Sequence, residues 1–341
     1  MELYKAPRWL AGQGSWGGNA QTIWPALFSR PNGQSAPSAE VSYQRQRWDT
    51  PDGDFIDVDL LPATTGDGLG AVHRAGVPLL VLFHGLEGSS RSHYALAFAH
   101  WAQAQGWSYA VPHFRGCSGE LNLGPRSYHS GDFVEIDWIL RRLLSRHGGP
   151  MVAVGISMGG NALLRWAQEA GSEAIQVAKA VAAVSSPLDL AAAGDAIGRG
   201  FNRQVYTRMF LKSMKPKALA KLAQFPGLFD EQALRASRDL FEFDNVFTAP
   251  LHGFSGTPDY WARCSSQPGL KAITGMPALV LNARNDPFIP GASLPRPQDV
   301  GPWVTLWQPE EGGHVGFPAG PMPGHVSALP QAVGPWLAQH L

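Results

Sequence analysis

The rhythm of hydrophobic and polar positions changes several times along this chain. Two alternating runs, VSYQRQRW (41–48) and FIDVDLL (55–61), flank the turn-forming stretch TPDGD. That pattern predicts an antiparallel β-hairpin. From residue 77 onward, alternation gives way to short unbroken apolar runs: VPLLVLFH (77–84), WSYAVPH (107–113), MVAVGI (151–156), VAKAVAAVSSP (177–187), ALVLNA (278–283) and WVTLWQ (303–308). Runs of this length predict strands buried on both faces. Stretches of helical periodicity lie among them. SHYALAFAHWAQAQG closes on Gly106, a helix stop. DFVEIDWILRRLLSRH carries acids early and bases late, as the helix dipole favours. MGGNALLRWAQEAG follows the third run. Strands alternating with helices predict an α/β fold with a mostly parallel central sheet and helices on both faces.

Between Asp189 and about Ser266 the alternation stops. RQVYTRMFLKSM, KALAKLAQF and EQALRASRDLF are helical or turn-like, so this region reads as a helical cap inserted between two sheet strands. The chain then divides into a core segment 1–188, a cap 189–266 and a second core segment 267–341. Residues 1–38 are irregular and aromatic-rich (Trp9, Trp16, Trp24, Phe28) and are expected to lie across the core as an extension. Residues 62–76 read as a Gly-rich loop. Pro330 and Pro335 predict a break in the last helix.

Composition narrows the function classes. The 341 residues are 44% hydrophobic, which supports a large core and excludes a disordered chain. Lys+Arg and Asp+Glu are 27 each, so no basic excess points to nucleic acid or an anionic membrane as partner. Cys117 and Cys264 are too few for a metal cluster or a disulfide framework and fit a reducing compartment. The opening MELYKAPRWLAGQG has no apolar run for a signal sequence, and no window approaches the ~18 apolar residues of a membrane span. The expectation is a cytoplasmic protein.

The sharpest chemical feature is Gly155-Ile156-Ser157-Met158-Gly159, directly after an apolar run and before a helix. In that context the pattern is a nucleophile elbow: the serine sits on a strained turn that lifts its hydroxyl above the sheet edge. Side chains two before and two after it would collide with backbone, hence the glycines; Gly160 adds room. A serine hydroxyl becomes nucleophilic when a base, usually a histidine oriented by a carboxylate, takes its proton. Asn285-Asp286-Pro287 follows the fifth run and Gly312-Gly313-His314 the sixth, so Asp286 and His314 are candidates in the order Ser, acid, His. Asp189 is a rival acid, since it too follows a strand. His325 and His252 are rival histidines, one without a strand just ahead, the other in the cap. An oxyanion needs two donors; the amide of Met158 and that of Leu86, in His84-Gly85-Leu86-Glu87-Gly88, are the candidates. His84 reads as a loop anchor, because no second ligand stands at metal spacing. That spacing gives no reason to expect a metal, and no phosphate-cradling glycine loop follows the first strand, so no nucleotide cofactor is expected. Arg115 and Glu120 are expected to pair, and Cys117 to be a buried small residue. A serine at the elbow disfavours epoxide hydrolysis and dehalogenation, which need a carboxylate there.

The motifs QTIWPALFSRP, DTPDGDFIDVD, HGLEGSSRSHYA, FRGCSGE, YHSG, GISMGGNALL, SSPLDL, FDNVFTAPLHGF, NARNDPFIP and GGHVGF, taken in order, resemble the YheT-like group of α/β-hydrolases. The resemblance implies an α/β-hydrolase fold and a triad of Ser157, Asp286 and His314, favouring Asp286 over Asp189. It implies a carboxylesterase-like serine hydrolase that cleaves short- to medium-chain acyl esters, or lipid-like ones, through an acyl-enzyme and without a cofactor. The chain departs from the family at GGNAQT, with Asn19 where histidine is common, and at DFVEID, where the acids are spaced differently. In the cap, Phe210, Phe254 and Tyr260, with Phe201 and Met209, are expected to line an acyl pocket. Two other readings remain: acyl transfer to an alcohol or thiol with the same triad, and a non-catalytic ligand-binding protein. The complete triad disfavours the second.

Overall fold

The computed structural model describes residues 4–12, 14–31, 41–63 and 76–341. The expected hairpin forms from β1 (Gln44–Asp49) and β2 (Phe55–Leu61). Its register sets Arg45 opposite Asp59 and Arg47 opposite Asp57. Both pairs are two-pronged: 2.7 and 2.9 Å for Arg45–Asp59, 2.9 and 3.0 Å for Arg47–Asp57. Ile56 and Val58 alternate with these acids and turn into the core.

The apolar runs become β3 (Leu79–Phe83), β4 (Ser108–Pro112), β5 (Met151–Ile156), β6 (Val181–Val184), β7 (Ala278–Leu281) and β8 (Val304–Trp307). The eight strands form one sheet in the order β1-β2-β4-β3-β5-β6-β7-β8. Strands β3 to β8 run parallel, and β2 joins β4 antiparallel. Helices α3 (Phe133–His147) and α4 (Met158–Ala170) cover one face, over a core that includes Phe83, Ile139, Leu163 and Trp166. On the other face, α2 (His93–Ala104) and the C-terminal helix Ala328–Ala338 enclose Phe98, Val154, Leu279 and Val333. The link from β6 to β7 adds only helices, from Leu190–Ile197 to Thr257–Cys264.

Four expectations change. The N-terminal extension holds a helix, α1 (Gly14–Phe28), although its glycines disfavour one. Packing and side-chain bonds override propensity there: Gln21 Nε2 donates to Leu10 O (3.1 Å) and Trp24 Nε1 to Pro323 O (2.8 Å). The last helix is not broken. Pro330 falls in its first turn, where the missing N–H has no intrahelical acceptor to lose, and the helix continues through Pro335. The run 177–187 starts late as a strand, because Ala174–Val177 closes a helical turn first. Arg115 does not pair with Glu120. Its guanidinium is buried and bonds Glu135 (2.7 Å), Asp54 (2.9 Å) and Asp52 (2.9 Å), while exposed Glu120 pairs with Arg47 (2.6 Å). Most of the Gly-rich stretch 62–76 lies outside the described residues.

Burial alone would raise the carboxyls of Asp52, Asp54, Asp57 and Asp59. Hydrogen bonds from their partners outweigh it and hold all four below the usual range, Asp52 at about 2. A depressed folded pKa adds stability that is complete above the unfolded value, 3.8 for Asp57, and is lost as the pH falls through the folded one. The stability gap between the wild type and Asp57→Asn is therefore expected to be flat above about pH 4 and to shrink below it. Urea titrations at stepped pH read this directly, and a gap that stays constant into acid would refute it.

Candidate active site

Four strand ends supply the site, all at the carboxyl edge of the sheet, where open α/β sheets hold their ligands. Ser157 stands between β5 and α4 with φ 53° and ψ −121°, a conformation that L-residues rarely adopt. Close approach explains its glycines. A Cβ on Gly159 would lie 2.5 Å from the carbonyl oxygens of Phe83 and His84; one on Gly160 would lie 1.9 Å from Ser186 Oγ.

His314, after β8, lies between serine and acid. Its Nδ1–H donates to Asp286 Oδ2 at 2.8 Å. Its Nε2 is then an acceptor, and Ser157 Oγ–H donates to it at 3.0 Å. Asp286, after β7, has a fully buried carboxylate whose Oδ1 accepts from Phe288 N–H at 2.8 Å. The Phe288 ring lies 4.1 Å from the imidazole and limits its rotation. This arrangement can move the serine proton onto a ring nitrogen while a fixed anion faces the opposite nitrogen.

The rivals are engaged elsewhere. Asp189 caps the helix Leu190–Ile197, accepting from Ala192 N–H at 3.0 Å. His325 bonds the Ser327 hydroxyl at 2.8 Å. His252 packs against His129, 4.4 Å between ring centres. His84 donates from Nδ1 to Gly85 O (2.8 Å) and accepts at Nε2 from Phe114 N–H (3.1 Å); burial drives its pKa down to about 3, so it anchors a loop as a neutral ring. Leu86 and Met158 line the same cavity as Ser157. Met158 opens α4, so its amide is among those a helix leaves without an intrahelical acceptor. Cys117 is buried, and burial raises its thiol to about 12.

The cavity above Ser157 measures about 140 Å³. Phe210 and Tyr260 line it with Ile197, Met214 and Phe288. Phe254, Phe201 and Met209 do not. Phe254 packs on Tyr260 and under Arg263, and Phe201 and Met209 point outward from the same helical segment that carries Phe210 inward. Polar groups also line the cavity. Lys217 pairs with Glu87 at 2.9 Å, and the Asp244 carboxyl, pushed up to about 6 by burial, accepts from Thr248 and Trp261. No group of histidine, cysteine or acidic residues that could hold a metal occurs among the described residues.

Sequence reasoning missed the residues that fix the histidine loop. Thr22 Oγ accepts from His314 N–H (2.8 Å) and donates to Gly18 O (2.7 Å). Fully buried Gln21 accepts at Oε1 from Gly312 N–H (2.8 Å) and from Asn285 Nδ2 (2.9 Å). Asn285 in turn accepts from Gly313 N–H at 3.0 Å. The Gln-Thr pair of α1 thereby ties the acid loop to the histidine loop. Two adjacent polar residues inside an aromatic-rich segment were the available signal. Asn19, at the family's histidine position, accepts from the Tyr206 hydroxyl at 2.7 Å.

Residues 78–321 match the sequence profile described as alpha/beta hydrolase fold. The chain belongs to the α/β hydrolase family. It is 38% identical over 324 residues to the Escherichia coli (strain K12) protein named "Putative esterase YheT", across 94% of this chain and 90% of that one. Phospholipase ABHD3 of Mus musculus is 28% identical over 311 residues, 90% of this chain and 72% of that one. Among solved structures, the alpha/beta hydrolase GrgF from Penicillium sp. sh18 superposes with a TM-score of 0.57 at 14% identity, covering 88% of this chain and 99% of that one. That likeness shows the shared fold alone. No helix of the described residues is long and apolar enough to cross a membrane.

Two substitutions probe the supports. Gly→Ala in a helix normally stabilises by about 1 kcal/mol. Gly159→Ala is expected instead to destabilise by about 1–3 kcal/mol, because the methyl meets the backbone after β3. Thr22→Val leaves the half-buried His314 N–H without its acceptor and is expected to cost about 1–3 kcal/mol, while Thr22→Ser stays near wild type. Urea midpoints measure both, and a stabilised Gly159→Ala would contradict the steric account.

Proposed function

We propose that the protein is a serine esterase that cleaves short- to medium-chain acyl esters. The observation that carries this reading is the unbroken hydrogen-bond line Ser157–His314–Asp286 at the floor of an apolar cavity. Ser157 Oγ attacks the ester carbonyl as His314 Nε2 takes its proton; the carbonyl π electrons move onto oxygen. Asp286 keeps His314 in the tautomer that accepts at Nε2 and offsets the charge of the imidazolium. The amides of Leu86 and Met158 hold the oxyanion, each worth about 3 kcal/mol in the transition state. The tetrahedral adduct collapses, the C–O bond to the alcohol breaks, and the imidazolium returns the proton to the departing alkoxide. Water, deprotonated by the same imidazole, then releases the acid and restores Ser157.

The cavity and the relatives support this substrate class. A space of about 140 Å³ is close to the ~150 Å³ void that accommodates a benzene ring, so a chain of a few carbons fits and a long one must emerge. Phe210, Tyr260, Met214 and Phe288 offer apolar contact to such a chain. The names of two relatives, an esterase and a phospholipase, are consistent with an acyl ester.

Ser157→Ala is expected to lower kcat on p-nitrophenyl butyrate by about a thousandfold or more and to abolish labelling by a fluorophosphonate probe, with the far-ultraviolet spectrum unchanged. Asp286→Asn should follow it, whereas Asp189→Asn should keep its activity. A large loss confined to Asp189 would reassign the acid, and full activity in Ser157→Ala would end the serine mechanism.

A further inference from the structure

The outer side of the site carries an apolar surface that the esterase reading does not use. Helix α1 reads GSWGGNAQTIWPALF and contains no charged residue. Trp16 and Leu27 are 76% and 66% exposed. Eleven residues apart, they stand about 20° from one another around a helix. Ala20 and Ile23 fill the face between them, one exposed and one half-buried. A second row runs along the helical segment 200–224, where Phe201, Val205 and Met209, spaced by four, are 42%, 36% and 55% exposed. The Trp16 and Phe201 rings meet at 5.7 Å and join the two rows into one face. A connected exposed surface of large apolar side chains marks an interaction site.

Charge decides what the face meets. The whole chain is neutral, yet between Asp195 and Asp230 it has no acidic residue, while Arg203, Arg208, Lys212 and Lys215 all fall in that stretch. Arg208 and Lys212 are exposed beside Met209, and neither enters an ion pair among the described residues. A second copy of this chain fits poorly: a two-fold contact through this face would bring the same cations together with no carboxylate from the segment to offset them. An apolar row flanked by cations, with a tryptophan at its margin, matches the chemistry of a lipid–water interface rich in anionic headgroups.

We propose that this face, built from α1 and the outer side of segment 200–224, seats the protein on an anionic lipid surface. Ile23 links the surface to the interior by packing in the cluster that holds Tyr206, Phe210 and Phe288. Phe288 rests against His314, so one layer of side chains separates the docking face from the site. The inner side of the same segment contributes Phe210, Met214 and Ala218 to the cavity. Docking does not depend on the Ser157 chemistry, and its test needs no turnover.

The test is flotation of the full chain with vesicles of phosphatidylcholine alone and of phosphatidylcholine with phosphatidylglycerol in equal parts. Wild type should partition at least about tenfold more strongly onto the anionic vesicles. The Phe201→Ser/Met209→Ser double variant should lose most of that binding, and Arg208→Glu/Lys212→Glu should lose the preference for anionic lipid. Both should hydrolyse soluble p-nitrophenyl butyrate as wild type does, which separates lost docking from lost folding or catalysis. Absence of wild-type binding to anionic vesicles, or binding indifferent to all four substitutions, overturns the proposal. So does a wild-type dimer by sedimentation that the serine double variant turns into monomer, because the face would then be covered by a second copy.

Discussion

The left-handed backbone at Ser157 is the constraint on which the site rests. A non-glycine residue at φ 53° is unfavourable by itself, and isolated strain of this kind costs about 1–3 kcal/mol. It persists because both sides are fixed. Before it, β5 is hydrogen-bonded between β3 and β6. Behind it, α4 lies so close to the end of β3 that no Cβ fits at Gly159. Relaxing Ser157 to an ordinary conformation would pull α4 off the sheet and expose Leu163 and Trp166. The sheet core therefore holds the strained serine in place, and the hydroxyl has one direction in which to point.

The histidine loop repeats this logic with different supports. Val315 and Phe317 have φ values of 59° and 40°, unusual for a β-branched and an aromatic residue. The loop is held by polar anchors: Val315 N–H donates to Ser185 Oγ (3.1 Å), His314 N–H to Thr22 Oγ, and Gly312 N–H to Gln21. Two of the three come from α1. The N-terminal helix is thus a working part of the site, bound to it by buried hydrogen bonds whose loss would leave unsatisfied donors.

What the sequence made legible follows from how local each signal is. Strand runs and the hairpin are written in contiguous residues and, apart from the late start of β6, form where the pattern puts them; the turn at Ser157 is equally local, and Asp286 and His314 each follow a strand and meet it in one hydrogen-bonded line. The α1 helix was hidden because its glycines argue against a helix and its stabilising partners, Gly312, Asn285 and Pro323, lie roughly 260 to 300 positions away. Arg115 was mispaired for the same reason. Glu120 is near in sequence, but a buried guanidinium needs buried carboxylates, and Asp54 and Glu135 arrive from β2's approach and from α3. Phe254 was placed in the cavity by composition. Which way an aromatic ring in an irregular stretch faces depends on packing that no local pattern encodes.

The helical segment 200–224 shows why direction matters more than content. Met209 and Phe210 are neighbours in sequence, yet one projects to solvent and the other into the cavity over Ser157. A stretch of π geometry, Arg203–Thr207, precedes them. Widening a helix by one residue per turn rotates everything beyond it, and such bulges recur at functional sites. Here the rotation leaves Phe201, Val205 and Met209 in one exposed row while Tyr206 and Leu211 turn inward. One segment thereby bounds the cavity over Ser157 on its inner side and presents apolar and cationic groups on its outer side.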